Sequence, residues 1–197
     1  MTKSESLQQL FAACSDCRKC GLGATRNRLV FGEGNPCAKI FFLGEAPGAR
    51  EDETGRPFVG RAGELLTELL QQAGIRREEV YITGSCKCRP PKNRNPRKKE
   101  LAACRPVLTE QLRIIQPQVV VCLGLVAVHN LLGTGVRLAD VQGCWFDGPG
   151  YKIYPTYHPA AVVRGTVKAD VLIRDFCRVR AYTEKQACLQ EPGSAGQ

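Results

Sequence analysis

The chain has 197 residues, 28 Lys and Arg against 19 Asp and Glu, a formal net charge of +9, and 11 cysteines. A hydrophobic share of 43% beside 24% charged residues excludes wholesale disorder, and the length suits one domain with a core of its own. An odd cysteine count excludes complete pairing within the chain, and the excess of positive charge favours a polyanionic partner, nucleic acid first.

Residues 7–20 read as a short helix with Leu7, Leu10 and Phe11 on one face, running into a cysteine cluster. No secretory signal is read before it. Residues 39–43 form an apolar run ending at Gly44, the mark of a buried strand in a parallel sheet. Residues 61–73 carry leucines at 65, 66, 69 and 70, a helical stripe stopped by Gly74. A second strand is expected at 80–83, a helix at 97–115 ending before Pro117, a third strand at 119–123, and a helix at 125–132 closed by Gly133. Residues 145–154 read as paired strands around Asp147–Gly150. A loop with His158 and Pro159 follows, then an amphipathic helix at 167–188 and a disordered tail at 189–197. The longest apolar run, 119–128, is half of what a membrane span needs. The alternation of strand and helix predicts an α/β sandwich with a mostly parallel sheet, a single domain over residues 1–188, in a soluble, cytoplasmic, reducing setting.

Three stretches then fall beyond the carboxyl ends of strands, where such folds bind ligands: 44–60, 84–96 and the loop at His158. Cys14, Cys17 and Cys20 stand as C-x-x-C-x-x-C; Cys86 and Cys88 flank Lys87, and Cys104 follows sixteen positions after Cys88. Two such groups can complete a four-sulfur metal site, and spacing alone does not separate zinc from an iron–sulfur cluster. Cys122, Cys177 and Cys188 read instead as small buried hydrophobes. Between residues 87 and 105 lie eight basic residues and one acid, Glu100, on a proline-stiffened loop entering a helix. That pattern predicts a phosphate-contacting surface, with Lys87, Arg89, Lys92 and Arg94 as DNA-binding residues and the Asn93 amide available to a base. The 44–60 loop carries four carboxylates, glycines such as Gly44 and Gly48 that permit close backbone approach, and Phe58 as a platform for a flat ring. Carboxylates beside a planar ligand suit proton handling or stabilisation of a cationic transition state.

The run G-E-A-P-G-x-x-E-D-x-x-G-x-P-F-V-G at 44–60 resembles the first motif of the family 4 uracil-DNA glycosylases. K-C-R-P-P-x-N-R at 87–94, the cysteine pattern and Y-H-P-A-A-V-V-R at 157–164 agree with it. The resemblance implies a three-layer α/β/α sandwich with a central four-stranded sheet. It also implies a monofunctional 4Fe–4S enzyme of base excision repair that flips uracil out of DNA and hydrolyses its glycosidic bond, acting as a monomer. Carried over residue by residue, it makes Cys17, Cys20, Cys88 and Cys104 the cluster ligands, with Cys14 and Cys86 as extra thiols. It makes His158, Glu51 and Glu45 catalytic, and Gly44, Glu45, Ala46, Gly48, Phe58, Gly84, Asn93 and His158 the substrate-binding set. Val162 and Arg164 fall where the family wedges the duplex. One departure stands out: the family's asparagine before the K-C-R-P-P run is Gly84 here, so weaker or less selective uracil excision is expected, with Gly84→Asn raising it. The contrasting expectation is a non-catalytic, metal-stabilised nucleic-acid-binding protein on the same scaffold.

Overall fold

The apolar runs around residues 40, 81, 119 and 153 lie side by side as parallel strands. In chain order the computed structural model, which describes residues 1–190, has α1 (Lys3–Cys14), α2 (Leu22–Thr25), β1 (Glu33–Gly34), β2 (Ile40–Gly44), α3 (Ala49–Thr54), α4 (Arg61–Gln72), β3 (Tyr81–Gly84) and α5 (Lys98–Ile115). It continues with β4 (Val119–Leu123), α6 (Leu125–Leu132), α7 (Leu138–Val141), β5 (Phe146–Asp147), β6 (Lys152–Thr156), α8 (Pro159–Val163) and α9 (Ala169–Gln190). The sheet runs β1-β3-β2-β4-β6-β5; its inner four strands are parallel and its two edges antiparallel.

Successive side chains on a strand point to opposite faces, and both faces of this sheet are apolar. Phe41, Leu43, Val120 and Cys122 pack with Leu7 of α1, Leu108 and Ile115 of α5, and Ala127 of α6. Ile40, Phe42, Val119 and Val121 pack with Leu66, Leu69 and Leu70 of α4 and with Leu172 and Phe176 of α9. Two helical layers thus sandwich the sheet, as the resemblance implied. Phe42 and Phe176 meet edge to face, with centroids 5.3 Å apart, so truncating either is expected to cost about 3–5 kcal/mol.

Three details differ from the sequence reading. The sheet has six strands rather than four, because two-residue edge strands pair at Glu33↔Ile82 and Phe146↔Ile153. The first helix begins earlier and ends at Cys14, because Thr2 and Glu5 form a capping box at its start. Phe11 is 45% exposed, although its ring edge meets Phe31. Of the expected tail at 189–197, residues 189 and 190 complete α9 and the rest lie outside the described residues.

The chain lays β3 on one side of β2 and β4 on the other. That reversal opens a crevice at the carboxyl ends of the strands. Gly44 ends β2 opposite Gly84 of β3; Gly124 follows β4 and donates its N–H to Thr156 of β6 at 2.9 Å, two residues before His158.

Candidate active site

The loop after β2 is held by its own acids. The Glu51 carboxylate accepts from the backbone N–H groups of Val59 at 2.9 Å, Gly60 at 2.8 Å and Gly48 at 3.1 Å. It therefore closes the loop on itself and caps the first turn of α3. The neighbouring Asp52 is buried and accepts from the backbone and the side-chain amide of Asn27, at 3.0 and 2.9 Å. Carboxylates saturated by N–H donors hold a loop in place.

That closure fixes Phe58, which has a left-handed φ of 51°. Its ring lies over Gly44 so closely that a Cβ there would stand 2.5 Å from ring carbon Cζ. The same ring stacks on His158, with centroids 5.5 Å apart and 25° between the planes. His158 caps α8: its Nδ1 accepts from the Ala160 N–H at 3.1 Å. An accepting Nδ1 leaves the proton of the neutral ring on Nε2, which is then a donor. Burial, seconded by the Arg164 charge and opposed by Glu51, pushes the His158 pKa down to about 4. The ring is therefore neutral at pH 7. Burial also raises the pKa of Glu45, against the pull of Arg164.

Gly84 has no room for a side chain. A Cβ there would lie 2.7 Å from the Cys86 carbonyl oxygen and 3.4 Å from the Ala46 Cα. Ser85 does not replace the missing amide either: its hydroxyl and N–H both go to the Gly44 carbonyl, at 2.8 and 2.9 Å. The expectation that Gly84→Asn restores a reader is thus corrected, because such a side chain must first displace backbone.

Cys86 and Cys88 are buried against Leu22, with Cys20 and Cys104 packed on them. Cys17 packs nearby on the α1 side of the core with Cys14. Hydrogen bonding between the two thiols lowers the Cys104 pKa and raises that of Cys86. Cys88 Sγ accepts from Arg26 at 3.3 Å, and Cys104 Sγ accepts from the Lys87 N–H at 3.3 Å. This soft, N–H-bonded donor set suits a thiolate-bound centre, although among the described residues no three His, Cys, Asp or Glu side chains stand in metal-holding geometry. A cavity of about 650 Å³ lies elsewhere, between α1, Phe31, Glu33 and Arg56, and holds none of the expected site residues.

Residues 31–183 match the family model described as Uracil DNA glycosylase superfamily. The chain belongs to the uracil DNA glycosylase superfamily. It is 42% identical to a type-4 uracil-DNA glycosylase of Thermotoga maritima over 94% of this chain and 98% of that protein. It is 46% identical to one of Archaeoglobus fulgidus over 81% and 84% of the two chains, and 45% identical to one of Pyrobaculum aerophilum over 80% and 85%.

Within this superfamily fold the strand ends gather Gly44, Glu45, Ala46, Gly48, Phe58, Gly84 and His158. The basic loop is sorted more finely than its composition suggested. Lys87 is not on the surface: it is 1% exposed, with its ammonium on Thr83 Oγ1 and the Gly84 carbonyl, so it cannot reach a phosphate and its place among the DNA-binding residues is withdrawn. Arg94 is engaged by Glu100 through two bonds of 2.8 and 2.6 Å. Asn93 is exposed and accepts from Arg89 at 2.7 Å. Lys92 is exposed. Val162 packs against the α4–α9 face of the core while Arg164 is exposed beside the crevice. Sequence reasoning missed Arg26, which also donates to the Cys17 and Ser15 carbonyls at 2.8 and 2.5 Å, and Asn27. A single arginine and asparagine outside any motif carry no signal. No helix among the described residues is long and apolar enough to cross a membrane.

Proposed function

We infer that this protein is a uracil-DNA glycosylase of base excision repair, which hydrolyses the bond between a flipped-out uracil and its deoxyribose and leaves an abasic site. The observation that carries the reading is the neutral His158, with Nδ1 spent on Ala160 and the Nε2 proton free beside Phe58. As the glycosidic bond breaks, negative charge grows on the leaving base and positive charge on the sugar. A neutral N–H donor at uracil O2 stabilises the leaving anion most where charge is greatest, in the transition state. Arg164, whose charge reaches His158 and Glu45, favours the same anion. Glu45 supplies an acid–base group at the crevice, and Glu51 holds the loop that carries Phe58. Gly44, Ala46 and Gly48 offer backbone to the base edge, with Gly84 as the side-chain-free wall opposite Gly44. Val162 and Arg164 border the opening through which a base enters, and Arg89 and Lys92 supply positive charge for phosphates, Arg94 being neutralised by Glu100; flipping needs both. The catalytic unit is the single domain over residues 1–188, a monomer in a reducing cytoplasm.

A 4Fe–4S cluster held by Cys17, Cys20, Cys88 and Cys104 fits the sulfur chemistry of this region. When bound it supplies a cross-link between the N-terminal segment and the basic loop, since hydrolysis of a glycosidic bond takes no electrons. The test is incubation of purified protein with a labelled uracil-containing oligonucleotide, followed by alkali. Cleavage that His158→Ala abolishes supports the enzyme. Tight binding without cleavage of uracil or any other deaminated base overturns it in favour of a non-catalytic binder.

A further inference from the structure

Among the described residues Lys87 is the only buried lysine or arginine. Its ammonium donates to Thr83 Oγ1 at 2.6 Å and to the Gly84 carbonyl at 2.8 Å. Its backbone N–H donates to Cys104 Sγ, and its carbonyl accepts from Val30 at 2.8 Å. The sulfur nearest to it in the chain's bonding is that of Cys104, which its own N–H holds, whereas Cys14 keeps its proton as a donor to the Leu10 carbonyl at 2.7 Å; no carboxylate bonds the ammonium. A buried cation needs its hydrogen bonds satisfied, and this ammonium finds its acceptors at the end of β3 while its backbone N–H is bound to a cysteine sulfur. The other end of the side chain's reach is the base pocket. Thr83 gives its hydroxyl proton to the Phe31 carbonyl at 2.7 Å, which leaves its lone pairs to Lys87. The buried Gly84 carbonyl faces the same ammonium, and beyond Gly84 the Ser85 and Cys86 N–H groups bind the Gly44 and Glu45 carbonyls.

We propose that Lys87 is a positioning residue that ties the sulfur site to the wall of the base pocket: its backbone N–H holds the Cys104 sulfur, and its ammonium's two hydrogen bonds fix the Thr83–Gly84 end of β3 against Gly44–Ala46. The proposal rests on the sulfur cluster and base pocket proposed above. It makes loading of the cysteines felt at the pocket wall.

The experiment compares wild type and Lys87→Met, a variant of similar length without donors or charge, each as isolated and after iron removal. Iron content, hydrogen exchange at the Ser85 and Cys86 amides, and kcat and KM on a uracil duplex are read. In wild type, iron removal is expected to speed exchange at these two amides. Lys87→Met is expected to keep its iron and to show exchange already faster by roughly tenfold, the factor for two lost buried hydrogen bonds of modest net strength. Its iron removal then adds nothing further there, and its KM rises more than its kcat falls. A merely structural lysine would leave the response to iron intact. Lys87→Met with wild-type exchange and KM, or with a wild-type response to iron removal, overturns the proposal. Should Lys87→Met not accumulate, Thr83→Val removes one acceptor, keeps the lysine and is expected to reproduce half of the effect; wild-type exchange in that variant overturns it equally. Iron-free wild-type protein overturns the cluster reading and the coupling with it, whereas iron-loaded wild type without activity on any deaminated base overturns the pocket reading alone.

Discussion

The ring of Phe58 lies stacked on the imidazole of His158, centroids 5.5 Å apart, so the loop after β2 covers a group delivered by the end of β6. Phe58→Ala strips that cover and lets water reach His158. Its pKa is expected to climb from about 4 toward the ordinary 6.5 or so of a free histidine. With two histidines in the chain, a proton NMR titration reads this directly. An unmoved value in the variant would show that the aromatic cover is not what keeps the ring neutral.

His158→Ala removes the proposed donor to the leaving base. A loss of about 10²–10³ in kcat is expected, the size seen when one oxyanion donor is deleted. The pH dependence has a definite sign. The folded imidazole takes its proton near 4 and the unfolded one near 6.5, so acidification between those values favours the unfolded chain and lowers stability; below about 4 this contribution stops changing. In the wild type kcat is expected to hold from pH 8 to about 5 and to fall as pH nears 4. A descending limb centred near 6.5 would mean that a solvated histidine controls the rate.

Glu51→Ala leaves the N–H groups of Gly48, Val59 and Gly60 without their acceptor. A destabilisation of about 2 kcal/mol is expected, seen as a Tm lower by roughly 4–8 °C, with activity lost through loop disorder. Glu51→Gln is expected to do nearly as badly, because the amide NH₂ would face the Gly48 N–H, donor to donor. Wild-type stability in both variants would assign the carboxylate to chemistry alone.

Gly84→Ala forces a methyl group to within 2.7 Å of the Cys86 carbonyl oxygen. Overpacking of this kind costs about 1–3 kcal/mol, and the backbone that must yield belongs to the pocket wall. Reduced thermal stability and weaker uracil excision are both expected, and Gly84→Asn follows the same course. Excision faster than wild type in either variant would show that the wall yields at little cost.

Cys88→Ala and Cys104→Ala are expected to lose iron and visible absorption, whereas Cys86→Ala and Cys14→Ala retain both. Cys86 is buried beside Cys104 but stands outside the four ligands that the resemblance implies. Iron loss from Cys86→Ala would instead put that sulfur on the metal.

The sheet was legible because Ile40–Gly44 and Val119–Leu123 are buried on both faces and therefore read as unbroken apolar runs. Of the edge strands, Phe146–Asp147 was legible through the turn at Asp147–Gly150 that pairs it with β6, whereas Glu33–Gly34 is too short to set up any period. Helix α3 hid inside a run of acids for a similar reason: Ala49–Thr54 has no apolar stripe, and Glu51 caps it from within. The motif residues of the site were legible as chemistry but not as roles. Glu51 reads as an acid near a ligand, yet its oxygens are taken by three backbone donors. Lys87 reads as one charge of a basic surface run, and nothing in its neighbours in sequence tells of the acceptors, Thr83 and Gly84, that draw it inward.

Arg26 reaches its sulfur partner on Cys88 across 62 positions of chain. During synthesis at about 5–20 residues per second, that gap amounts to roughly 3–12 s. For that interval the first three cysteines stand outside the ribosome without the loop that will cover them. The nascent segment is most open to oxidants or stray metal ions in those seconds, and arrest of translation before Cys88 would prolong the exposure in proportion.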